Sequence, residues 1–211
     1  MNGDEVLYNT LGHARSVQDL VYKILAAWHS DSGLGTEDTI VTSVPWKLTD
    51  FIPLPKIDKK LIEWIKGGYC NVVLILSGLG GLGKTALAKV LMALVCKHSS
   101  FHFINRVDRL RDIFFIPGQG LVLDEVCLAD RPVDDTKALL DLEEARDITC
   151  RNKDGRIPKG CPRIICTNWC WERFWPHEAF LPEHEGGVAR RFWWVDVACV
   201  CLGSLCRAHG R

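Results

Sequence analysis

The sequence predicts an α/β protein, a three-layer sandwich with a mainly parallel sheet preceded by a short helical segment. Three observations predict it. Short apolar runs of the buried-strand type recur along the chain, helical periods separate them, and polar residues cluster where the runs end. Strands covered by helices on both faces read as near-continuous Val, Ile and Leu. Alternation of such runs with helices points to parallel pairing, and ligands bind such sheets where their strands end.

In order, Val17–Trp28 has apolar residues at helical spacing on one face. Residues 29–57, with His29-Ser30-Asp31-Ser32-Gly33 and three prolines, read as linker. Lys59–Gly67 reads as a short helix stopped by Gly67-Gly68. Val72–Leu76 is the first buried strand and runs straight into glycines; Lys84–His98 is a helix with Leu87, Val90, Leu91, Leu94 and Val95 on its apolar stripe. Phe101–Val107 and Gly120–Glu125 are strands, Asp135–Ala145 a surface helix, and Arg163–Asn168 and Arg191–Val197 the last strands. This gives a helical and linker segment over 1–58, one catalytic domain over 59–198 and a Cys-containing tail over 199–211.

Composition bounds the function. The chain has 211 residues, 47% of them apolar and 25% charged, the ordinary globular mix. Lys plus Arg and Asp plus Glu are 26 each, which excludes a strongly basic nucleic-acid coat and an acidic solvating tail while leaving room for a local basic patch. No apolar run approaches the length of a membrane span. The start, Met1-Asn2-Gly3-Asp4-Glu5, is acidic with no apolar stretch close behind, so secretion is not expected. The ten cysteines are then expected to be reduced thiols, most of them small core residues, in the cytoplasm or nucleus.

The chemistry lies at the strand ends. Gly78-Leu79-Gly80-Gly81-Leu82-Gly83-Lys84-Thr85, followed by Ala86, fits the phosphate-loop pattern between a strand and a helix. Glycines let successive backbone N–H groups turn toward phosphate oxygens, and the following helix adds its positive end. Lys84 is placed to meet the β- and γ-phosphates of ATP, and Thr85 to ligate Mg2+. Leu121-Val122-Leu123-Asp124-Glu125 delivers two acids at a strand end: Asp124 for the metal, Glu125 to orient and activate the attacking water. Asn168 ends the third strand, where an amide bonds both the γ-phosphate and the water. Arg190 and Arg191 precede the last strand, and either is a candidate to stabilise transition-state charge in a neighbouring subunit. Arg151, Lys153, Arg156, Lys159 and Arg163 surround a single acid, Asp154, and Asp154-Gly155 is a hairpin signal. A basic hairpin tip there suits a phosphate-backbone track. Trp169, Trp171, Trp175, Trp193 and Trp194 are candidates for base stacking or, more ordinarily, for core.

These residues resemble the superfamily 3 helicases within the AAA+ ATPases, in particular the helicase domain of Rep proteins of circular single-stranded DNA viruses. Gly78–Thr85, Leu121–Glu125 and Arg163–Asn168 carry the resemblance in that order, with Arg156-Ile157-Pro158-Lys159-Gly160 just ahead of the third; Lys84 precedes Asp124 by 40 residues and Asp124 precedes Asn168 by 44. The resemblance covers about residues 60–198. It implies an ATP- and Mg2+-dependent motor on single-stranded DNA, with RNA the lesser expectation, working as a homo-oligomeric ring, usually a hexamer. It implies that Lys153, Arg156 or Lys159 faces the DNA and that Arg190 or Arg191 acts in trans. Residues 1–59 lack the His-x-His pair of a nicking nuclease, so nicking is not expected. Residues 78–88 are also similar to the phosphate loop of NB-ARC-type signalling switches, the alternative reading, beside a decayed ATP-binding copy serving as an interaction module. A zinc module built from Cys96, His98 and His102, from Cys161, Cys166 and Cys170, or from Cys199, Cys201 and Cys206 lacks paired C-x2-C spacing.

Overall fold

The computed structural model describes residues 40–46, 55–96 and 100–197, all within the compact unit Asp38–Arg211. The helix expected over 17–28 and the tail after 198 lie outside the described residues.

The elements are β1 (Ile40–Val41), α1 (Pro55–Ile65), β2 (Val73–Ser77), α2 (Lys84–Val95), β3 (Phe101–Ile104), β4 (Gly120–Leu123), α3 (Val133–Leu140), β5 (Arg146–Ile148), β6 (Gly155–Ile157), β7 (Arg163–Thr167), α4 (Trp171–Phe174), α5 (Pro182–Ala189) and β8 (Phe192–Asp196). Short 3-10 turns cover Gly68–Cys70, Val107–Asp112 and His177–Phe180. Six strands form one sheet in the order β1-β3-β4-β7-β2-β8. All neighbours run parallel except edge strand β1, which is antiparallel to β3.

The period-2 alternation of each strand divides the core into two layers. Val73, Ile75, Leu121, Leu123, Ile165 and Phe192 point into one cluster, with Leu110, Leu139, Ile157, Phe174 and Val188. Leu74, Leu76, Val122, Ile164, Cys166 and Val195 point into the other, with Trp64 of α1 and Leu87, Leu91 and Met92 of α2. A sheet filled on both faces is why the strands read as unbroken apolar runs.

Several expectations are corrected. The linker contributes a strand, β1, on the sheet edge. The helix expected over 135–145 ends at Leu140, because Asp141 turns the chain by accepting the N–H groups of Glu143 and Glu144 at 2.9 and 3.3 Å. It is not a plain surface helix, since Thr136, Leu139 and Leu140 are buried. The hairpin is β5 with β6, and its tip lies over 149–154 with Asn152 in the left-handed region at φ 73°. Asp154-Gly155 is therefore not the turn centre. Gly155 is a strand residue pressed on the 107–112 turn, where a Cβ would come within 2.6 Å of Leu110. Arg163 is not on the basic tip either. It is fully buried, and its Nη1 donates to the carbonyls of Ala138 and Leu139, closing the C-terminus of α3.

Candidate nucleotide site

Sheet order creates the site. β7 lies between β2 and β4 in the middle of the sheet, and the three run parallel, so the loops leaving them converge at the C-terminal ends of the strands. Ser77 pairs with Thr167, and Leu123 with Ile165. This register sets Gly80, Gly81, Gly83, Asp124, Glu125 and Asn168 around one cleft of about 340 Å3, within the small-molecule range; Gly78, Leu79 and Leu82 of the expected loop are not among its lining residues.

The loop after β2 has its glycines at Gly78 (φ 146°), Gly81 (φ 82°) and Gly83 (φ 80°), backbone that side-chain-bearing residues avoid. Gly83 is also the N-cap of α2, and no side chain caps that end. A helix start ordinarily uses Ser, Thr or Asp to satisfy its first N–H groups. The starts of α3, α4 and α5 lack a side-chain cap as well; what sets α2 apart is that its N-cap Gly83 and first residues Lys84 and Thr85 line the cleft, a placement suited to phosphate.

Lys84 is buried. Its Nζ donates to the carbonyls of Gly78 (2.8 Å) and Leu79 (2.7 Å) and to Asn168 Oδ1 (2.7 Å). Burial lowers its pKa, while the Cys166 thiol and the Asp124 and Glu125 carboxylates oppose the shift. Thr85 Oγ1 donates to Asp124 Oδ1 at 2.9 Å. Burial pushes the Asp124 carboxyl up, and the Thr85 hydroxyl pulls it back. Asn168 Nδ2 donates to Glu125 Oε1 at 3.4 Å, a long bond. Glu125 is held at φ 55°, a left-handed backbone that costs a non-glycine residue energy and occurs where surrounding structure imposes it. Lys84, Asn168 and Glu125 thus form one chain of contacts across the cleft, and Thr85 with Asp124 a second.

The donor set fits magnesium. A hydroxyl and a carboxylate are hard oxygen ligands, and Mg2+ takes few protein ligands, keeping waters and substrate phosphate for the rest. Among the described residues no group of three or more His, Cys, Asp or Glu could hold a metal ion. The zinc candidates are dispersed there: His102 Nε2 lies 3.0 Å from Gln119 Oε1, Cys96 and Cys161 are buried, and Cys170 is exposed. The seven described cysteines are all free thiols.

Two arginines part ways. Arg191 bonds the Gly187 carbonyl, and its Nη2 lies 3.5 Å from Asp141 Oδ2. Arg190 is exposed. Lys153 on the hairpin tip, Arg156 in β6 and Lys159 just after β6 are all exposed; Arg156 lies 3.5 Å from Asp147 and Lys159 3.9 Å from Glu144.

No protein-family model matches the chain, and no curated protein matches it. Solved structures do. It is similar to NtrX from Brucella abortus in complex with ATP, at 18% identity and a TM-score of 0.41, over 85% of this chain and 43% of that one. It is also similar to JCV helicase bound to a small molecule, at 17% identity and a TM-score of 0.41, over 73% of this chain and 43% of that one. The chain spans less than half the length of these proteins.

Three wall residues were not among the sequence candidates for nucleotide contact: Trp46, Cys166 and Thr167 all line the cleft. Cys166 was expected as core, and like every residue of β7 it is buried, at 1% exposure; burial pushes its thiol well up. Trp46 lies in the expected linker, and no local pattern ties it to a loop more than thirty residues away. The expected stacking tryptophans divide. Trp171, Trp175 and Trp194 pack with Phe174, Phe180 and Phe192 in one aromatic cluster. Trp193 packs against the second core cluster, and Trp169 is 44% exposed.

Proposed function

We propose that this protein is a Mg2+-dependent ATPase that couples hydrolysis to movement along, or unwinding of, single-stranded DNA, as the resemblance to superfamily 3 helicases implies. The observation that carries the ATPase reading is the convergence of Lys84, Thr85, Asp124, Glu125 and Asn168 on one cleft at the start of α2. Phosphate oxygens of ATP replace the loop carbonyls and Asn168 as partners of Lys84, a stronger match for an ammonium than neutral acceptors. The backbone N–H groups of the loop and the first turn of α2 bind the remaining phosphate charge. Thr85 and Asp124 would hold Mg2+, which when bound neutralises charge on the phosphate oxygens. Glu125 orients the attacking water and takes its proton at Oε1 or Oε2. Asn168 touches both Lys84 and Glu125, so its amide connects γ-phosphate occupancy to the base.

Arg190 is the better candidate for action in a neighbouring subunit, because Arg191 is engaged by Asp141 and Gly187 within its own chain. The exposed Lys153, Arg156 and Lys159 supply the DNA-facing charge, and a homo-oligomeric ring, a hexamer in the resembling family, is the working form. The deciding experiment is the steady-state ATPase rate with and without single-stranded DNA, in the wild type and in Lys84→Ala. Stimulation by DNA, with turnover reduced about 100-fold or more by the substitution, is the expected result. Unchanged turnover in Lys84→Ala removes the assignment; turnover that DNA never alters removes the motor and leaves a nucleotide switch.

A further inference from the structure

We infer that Trp46 is the platform for the nucleobase, and that the base is read by its face through stacking rather than by its edges. The inference rests on the cleft being a nucleotide site and goes beyond it, since phosphate recognition alone says nothing about the base. Trp46 is the single aromatic side chain among the described residues that line the cleft. It reaches the cleft from the segment after β1, remote in sequence from the phosphate loop. Its indole is half-buried and packs against the second core cluster. One part of the ring is therefore anchored while the rest faces the cleft, and a fixed aromatic surface loses little entropy when a base stacks on it.

The other side chains of the wall are unsuited to edge reading. Lys84, Thr85, Asp124, Glu125 and Asn168 hydrogen-bond one another at the phosphate and metal end. Gly80, Gly81 and Gly83 have no side chain, Ala86 and Cys166 offer no paired donor and acceptor, and the Thr167 hydroxyl is fully buried and already accepts from the Trp169 N–H at 3.1 Å. A stacking surface accepts every base, because every base has a π-face. The ligand class is then a nucleoside triphosphate with little regard for which base it carries, rather than ATP alone.

The test measures the affinity of the wild type, Trp46→Ala, Trp46→Leu, Trp46→Phe and Lys84→Ala for two magnesium-loaded probes, ATP and inorganic tripolyphosphate, and of the wild type for GTP, CTP and UTP. Base–aromatic stacking is worth enough that its loss weakens binding about tenfold. Trp46→Ala and Trp46→Leu should each weaken ATP by about that factor and leave tripolyphosphate within about twofold; Trp46→Phe should retain most of the ATP affinity. The leucine variant keeps apolar packing without a π-face, so a tenfold loss in it, at an unchanged melting temperature, is not a folding effect. The four triphosphates should bind the wild type within about tenfold of one another. Equal weakening of both probes by Trp46→Leu overturns the inference, as does no weakening of either. A wild-type preference of about 100-fold or more for one base overturns it too. If Lys84→Ala leaves tripolyphosphate binding intact, or if the wild type binds neither probe, the phosphate cleft itself is overturned, an outcome distinct from losing Trp46 alone.

Discussion

The candidate nucleotide cleft and the β5–β6 hairpin with its flanks carry similar charged residues and hold them in opposite ways. In the cleft, Lys84 is buried with three oxygen acceptors within 2.8 Å, and Asp124 is held by Thr85. On the hairpin, Arg156 and Asp147 sit 3.5 Å apart with side chains 72% and 63% exposed, and Lys159 and Glu144 sit 3.9 Å apart at 69% and 66%. Cleft charges are fixed and partly desolvated, so they act strongly on a ligand that replaces their partners. Hairpin charges are hydrated and screened by salt and contribute little to stability, which suits the proposed contact with a polyanion. One region fixes its charges by geometry, and the other leaves them in solvent.

The largest effect that sharpens this comparison lies in the cleft. Glu125→Gln removes the proton acceptor while keeping the shape and the contact with Asn168. Turnover should fall about 100-fold, while ATP affinity stays within a few-fold of wild type, measured by single-turnover hydrolysis beside equilibrium binding. A normal rate would take Glu125 out of the base role; lost affinity would make it part of the binding wall instead.

The next effect lies at the junction of the two regions. Asp141 follows α3, is 2% exposed, and accepts from Arg146 Nε and Nη2 at 2.9 and 2.7 Å at the start of the hairpin. Burial alone would push its carboxyl up, but the Arg146 guanidinium and the N–H groups of Glu143 and Glu144 prevail and hold it below the ordinary carboxylate range. A carboxyl depressed in the folded state stabilises the fold above its unfolded pKa, near 3.9, and that contribution is lost as pH falls through the folded value. Asp141→Ala leaves Arg191 without its carboxylate, at 18% side-chain exposure. It should cost about 2 kcal/mol, less than a fully buried pair because the Arg146 side chain is 44% exposed. That corresponds to a fall of about 6 °C in Tm at neutral pH. On acidifying below pH about 4, the wild type should lose Tm faster than the variant, so the two melting curves approach; a constant gap would show that Asp141 acts through shape and not charge.

The same contrast explains what could be read in the sequence. The residues that meet at the cleft were legible because their signals are local: a glycine run between strand and helix, two acids after an apolar run, an amide after another. Each signal sits within a few residues, and sheet pairing only had to bring three strand ends together. The hairpin was legible as a basic stretch but not in register. Asp154-Gly155 looked like a turn centre, whereas Gly155 is set by its approach to Leu110, a contact across more than forty residues. Arg163 counted as one more surface charge until the carbonyls at the end of α3 claimed it. Trp46 and β1 were hidden for the same reason, since Pro-containing sequence between helices reads as linker until an edge strand pairs with it.

The smallest effect on the fold is the most telling about the hairpin. Arg156→Gln with Lys159→Gln removes two charges whose carboxylate partners are themselves mostly exposed. Surface changes of this kind shift stability by no more than about 0.5 kcal/mol, so Tm should move by less than about 2 °C, and basal ATPase without DNA should be unchanged. Single-stranded DNA affinity should fall, and the slope of log affinity against log salt should flatten by about 0.7 for each phosphate that is no longer neutralised. If affinity drops with the salt slope unchanged, the residues do not neutralise phosphates. If neither moves, Arg156 and Lys159 are ordinary solvated charges, and the polyanion, should one bind, must be tracked elsewhere on the molecule. The contrast between a cleft that fixes its charges and a hairpin that offers them to a polyanion would then hold only on its first side.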